Sequence, residues 1–100
     1  MSKVLKLVLV IFLVMPGVML AKDIDQDEAK LLRQEGAILP LEEILEAAQK
    51  QHSGRVIQVE LEEKHGRYVY EVEIADNNGK VWEMKIDAHD ATLLSQELED

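Results

Sequence analysis

Four glutamates, Glu60, Glu71, Glu73 and Glu83, fall at alternating positions of three strand-like runs. Alternation places side chains two apart on one face of a sheet, so these carboxyl groups come side by side. Close carboxylates raise each other's pKa, and paired carboxyl groups can act as acid and base in glycoside hydrolysis. That chemistry needs a cleft, whereas an outward-facing sheet offers open, wet surface. The same stack suits a cationic partner, because complementary charge speeds association. Glu60, Glu71, Glu73 and Glu83 are therefore the candidate partner surface, with a solvated polar face as the ordinary alternative.

The other chemistry-bearing residues are scattered. His52 falls at a predicted helix end, and His65 and His89 fall in predicted turns. No HExxH spacing and no supported Ser-His-Asp order accompanies them, so they read as solvated loop histidines. Asp87, His89 and Asp90 crowd one turn, and oxygen-rich turns can hold a hard cation such as calcium. The spacing is not that of an EF-hand, and an Asp-rich turn bonding its own backbone is the commoner arrangement. No catalytic residue, cofactor site or metal site is assigned, and the reading is not that of an enzyme.

These residues need elements to position them. Residues 25–35 predict a short helix: Asp25 as N-cap, Glu28 at capping-box spacing, Ile24 and Ala29 as a hydrophobic staple, Gly36 as a stop. A second helix is predicted over 40–52. Pro40 suits its first position, Leu41, Ile44, Leu45 and Ala48 follow the helical period, and Gly54 caps its end. Three strands follow, over 55–63, 68–75 and 81–87. Their apolar residues are Ile57, Val59 and Leu61, then Tyr68, Tyr70, Val72 and Ile74, then Trp82, Met84 and Ile86. Period-2 alternation means one packed face and one wet face.

Burial decides the second hairpin. A two-residue Asn78-Gly79 turn would set Ile74 opposite Glu83 and push a carboxylate onto the apolar face. A three-residue loop, Asn77-Asn78-Gly79, pairs Ile74 with Trp82 and Val72 with Met84, with Gly79 in the left-handed position. Glu71 then faces Lys85, and Glu73 faces Glu83. The first hairpin, around Lys64-His65-Gly66, admits a two- or a four-residue loop. Residues 92–95 predict a short edge strand, and 96–100 a frayed tail.

The N-terminus has the form of a secretory signal. Lys3 and Lys6 precede an apolar run over 7–15, Pro16 and Gly17 break it, and Ala21 and Lys22 flank the expected cleavage site. The run is short for a bilayer span, which takes ~20 apolar residues; an uncleaved signal is the one membrane attachment the sequence offers. Removing Lys3 and Lys6 from 11 basic side chains leaves 9 against 20 acidic ones, a formal charge of −11. That charge disfavours nucleic acid and anionic lipid as partners. The chain has no cysteine, so neither disulfides nor thiolate sites are available. A domain this short buries only about 60% of its unfolded surface, and self-association or a partner would reinforce it.

The run LEEILEAAQKQHSGRVIQVELEEKHGRYVYEVEIADNNGKVWEMKIDAHDATLL resembles a PepSY domain. A helix ending near a glycine, a V-x-x-V-E-L-like strand, G-R-Y-V-Y-E-V-E-I, a turn and W-E-M-K-I-D-A come in the family's order. Such domains usually carry Thr-Gly after the D-A pair, where this chain has Asp90 and Ala91. The resemblance implies no catalytic motif, a bacterial envelope setting and regulation or inhibition of peptidases.

The expectation is an α+β fold, with N-terminal helices packed on one face of a three- to four-stranded antiparallel β-meander. It divides into a signal peptide (1–21), an N-terminal segment with a short helix (22–38), a PepSY-like domain (39–95) and the tail (96–100). The expected function is a noncatalytic, periplasmic protein-binding module that regulates or inhibits an envelope protease or sensor protein. The alternative is a periplasmic sensor of a small ligand or cation.

Overall fold

The structure, a computed structural model, describes residues 22–99. The expected signal peptide, with Ala21 at its cleavage site, lies outside the described residues. Lys22 opens the first strand. The order is β1 (Lys22–Asp23), α1 (Gln26–Gln34), α2 (Leu41–Gln51), β2 (Gly54–Lys64), β3 (Arg67–Asp76), β4 (Val81–Asp87) and β5 (Leu93–Glu99). The strands form one antiparallel sheet in the order β1-β2-β3-β4-β5, with α2 against β3 and β4. This is the expected α+β meander, widened by the two-residue β1. Among the described residues no helix is long and apolar enough to cross a membrane.

Local chemistry sets both helices. Asp25 caps α1, its Oδ1 accepting the Glu28 N–H at 2.8 Å. Gly36, at φ +79°, ends it. Its N–H reaches the Arg33 carbonyl and the Ala37 N–H reaches the Leu32 carbonyl, which satisfies carbonyls that the helix leaves open. Pro40 is the N-cap of α2 rather than its first helical residue, with ψ 146° still extended. His52, not Gly54, is the C-cap. Gly54 instead begins β2, where a Cβ would collide with the Ala75 carbonyl oxygen. A glycine serves here because two backbones approach too closely for any side chain.

The core lies between α2 and the sheet's inner face. Ile44 and Ala48 meet Tyr70, Val72, Ile74, Met84 and Ile86, all essentially inaccessible to water. The second hairpin has the three-residue loop: Asp76 and Lys80 bond across it, Gly79 has φ +80°, and Ile74 pairs with Trp82. The first has the two-residue loop, Lys64 opposite Arg67, with His65 at φ +56° and Gly66 at φ +76°. Positive φ at both central residues matches the right-handed twist of the flanking strands.

Two further expectations fail. Ile57 does not face the core; it is 47% exposed, because a bulge between Val56 and Gln58 reverses the alternation and turns Val56 inward. The tail is not frayed. Residues 96–99 continue β5 and pair with 81–84, Leu98 opposite Trp82 and Gln96 opposite Met84. Backbone pairing along β4 and the contact over Trp82 outweigh the polar composition that suggested a loose end.

Candidate functional site

The outer face of the sheet gathers the four glutamates singled out above. Cross-strand pairing sets Glu60 opposite Glu71 and Glu73 opposite Glu83, and Glu83 in turn opposite Glu97. Directly opposed side chains lie within interaction range, so like charges repel there. The structure adds Asp23, Glu62, Glu97 and Glu99 to this face. Asp23 pairs with Glu62, and Glu99 lies with Glu73 and Glu83, their carboxylate oxygens within 4.8 Å of one another. Asp23, Glu60 and Glu62 form a second group of the same kind.

The electrostatics follow from this crowding. Partial burial, with Glu83 and Glu62 nearby, raises the Glu71 carboxyl above its ordinary value. Burial, then Glu99 and Glu83, raises Glu73. Burial, then Asp23, raises Glu62. Lys85 opposes the effect at Glu71 and Glu62, its Nζ standing 3.9 Å from a Glu71 oxygen. A flat carboxylate surface with one lysine in its midst can attract a cationic surface at long range.

The Asp-rich turn is built by its own backbone. Asp87 Oδ1 accepts the His89 N–H at 2.7 Å, while Oδ2 takes Arg67 Nε at 3.0 Å and pairs with its Nη2. Hydrogen bonds from the Thr92 hydroxyl and from the Thr92 N–H, the latter to Oδ1, hold the Asp90 carboxyl below its ordinary value. These oxygens are committed to the turn, which speaks against the cation reading there. Ala91 adopts φ +66°, the conformation a glycine would take without steric cost. Asp76 organises the β3–β4 hairpin likewise. It accepts the Lys80 and Asn78 N–H groups and the Trp82 indole, and its carboxyl is held below the ordinary range.

His52 is not a loosely solvated residue. Its ring stacks on Trp82, centroids 4.0 Å apart and 11° from parallel, and its Nε2 lies 2.6 Å from Gln96 Oε1. The pairing was hidden because Gln96 belonged to the expected tail. His65 sits in the β2–β3 turn, at the other end of β2 from His52. An 11-residue strand separates them, roughly 35 Å at ~3.3 Å per residue.

A cleft of about 280 Å³ opens where β1 leaves the sheet. Its walls include Asp23, Glu60, Val59, Leu41, Arg33 and Tyr70. Arg33 Nη2 donates to the buried Tyr70 hydroxyl at 3.0 Å, and the buried Arg33 Nε has no partner. Sequence reading missed this feature, since nothing in either run signals that α1 and β3 meet.

A two-helix layer on an antiparallel meander with an acidic outer face defines a small α+β domain. Residues 38–97 match the PepSY family, described as peptidase propeptide and YPEB domain, and the chain belongs to that family. An uncharacterized protein of Bacillus subtilis (strain 168), YkoJ, is 41% identical over 59 residues, covering 59% of this chain and 35% of that protein. The chain thus spans about a third of the length of this curated relative. No solved structure matches the chain.

Proposed function

We propose that this domain is a noncatalytic, exported protein-binding module that regulates or inhibits a protease or sensor protein of the cell envelope. The observation that carries this reading is the run of opposed carboxylates on the outer sheet face, Glu60, Glu71, Glu73 and Glu83. Neutralising them against lysines and arginines of a partner relieves repulsion already present in the free domain. The family's tie to peptidase propeptides supports a protease as target. The signal-like N-terminus supports export to the periplasm.

The test is crosslinking in an envelope extract, comparing the wild-type protein with a variant in which Glu60, Glu71, Glu73 and Glu83 are all lysine. A discrete partner should be recovered by the first, lost by the second, and released as salt rises through about 0.5 M. Equal recovery by both proteins, or no partner under any condition, would refute the reading.

A further inference from the structure

Among the described residues, β2 is covered on its outer edge only by β1, whose two residues pair with Glu63 and Glu62. The Ile24 N–H then bonds the Leu61 carbonyl at 2.8 Å, and the chain turns into α1. From Glu60 back to Gly54 the edge has no strand neighbour. Since Leu61 presents its carbonyl outward, the two-residue period gives Val59 the same orientation. Unpaired edge groups of this kind are a template for another strand. The bulge at Ile57 shortens the usable run to residues 58–60.

The 280 Å³ cleft lies beside this run, lined by Val59, Glu60, Leu61 and Leu41. A strand continuing the line of β1 would point alternate side chains in opposite directions. One would enter the cleft, where Leu41, Val59 and Leu61 offer contact to an apolar group among the polar Arg33, Asp23 and Glu60. Its neighbours would emerge beside Glu60 and Asp23 on the acidic face. A second copy of this chain is a poor occupant, because it brings the same carboxylates and a net charge of −9 in the full chain.

We infer that the β2 edge at residues 58–60 takes up an extended segment of a partner protein, in which an apolar residue is flanked by lysine or arginine. Main-chain bonds supply the affinity and the alternating side chains the selectivity. The inference rests on the protein-binding reading and specifies its contact.

The probe is a capped peptide of about seven residues alternating lysine and leucine, added to the purified protein and followed by hydrogen exchange. Two controls keep its composition: one with lysines and leucines in separate blocks, and one N-methylated at the residues facing β2. The alternating peptide should protect amides of residues 56–61, and N-methylation should weaken binding about tenfold or more. Absence of that protection, or equal binding of the N-methylated peptide, would overturn the inference. So would protection of these amides that rises with protein concentration alone, which would place a second copy there. The four-lysine variant separates the two ideas. If it loses its partner while the peptide leaves the edge unprotected, face docking stands and edge pairing falls. If it keeps its partner, face docking falls and the exchange result alone judges the edge.

Discussion

The two faces of this sheet are made by alternate residues of the same strands, yet they are held by opposite forces. On the inner face Tyr70, Val72, Ile74, Met84 and Ile86 are fully buried against α2. On the outer face Glu71, Glu73 and Glu83 sit one position away and repel one another. Apolar burial therefore supplies the register, and the acidic face follows from it at a cost in repulsion. Free energy of folding is concentrated on one side, which leaves the other free to serve a partner. Moving charge across the sheet is the direct way to break this contrast.

Ile74→Glu should have the largest effect, since it sets an unpaired carboxylate where accessibility is nil. A loss of about 4 kcal/mol or more is expected, enough to abolish a cooperative urea transition followed by circular dichroism. A cooperative transition near the wild-type midpoint would show that the inner face does not set the register. Gly54→Ala comes next. Its Cβ would meet the Ala75 carbonyl oxygen, and Ile74 Cγ2 at 2.9 Å, at the point where β2 docks on β3. We expect about 1–3 kcal/mol of destabilisation in the same assay.

The smallest effect concerns the outer face and sharpens the contrast through pH. Glu62, Glu71 and Glu73 have carboxyl groups raised in the folded state. The folded protein thus holds protons more firmly there than the unfolded chain, so stability falls as pH rises through the folded values. Mild acidification from pH 7 toward about 5 should raise the melting temperature by a few degrees. Below ordinary carboxylate values near 4 the trend reverses, because Asp76 and Asp90, held low by hydrogen bonds, must be protonated. Glu83→Lys should flatten the rise, since it removes a repulsive neighbour of Glu71 and Glu73. A melting temperature that falls steadily from pH 7 would contradict the assignment.

The parts of the fold legible in the sequence are those where a mistake would bury a charge. The Asn77-Asn78-Gly79 loop is the clearest case, because the alternative register sets Glu83 opposite Ile74. The acidic face was legible for the same reason, through Glu60, Glu71, Glu73 and Glu83. Ile57 was misread because a bulge has no residue signature when Val56, Ile57 and Val59 are all apolar. Asp23, Glu97 and Glu99 were missed because their strands are made by pairing along β2 and β4 rather than by their own pattern. The last turn closes without a glycine: Ala91 accepts φ +66° while Asp87 and Asp90 tie down the neighbouring backbone.

The stack of His52 on Trp82 has a practical bearing. The chain contains a single tryptophan, and its indole is clamped between the end of α2 and the Asp76 carboxylate. Indole emission, excited at the red edge where tyrosine scarcely absorbs, therefore originates at one corner, where helix, hairpin and last strand converge. A spectroscopist needs no added dye to see whether that corner has opened.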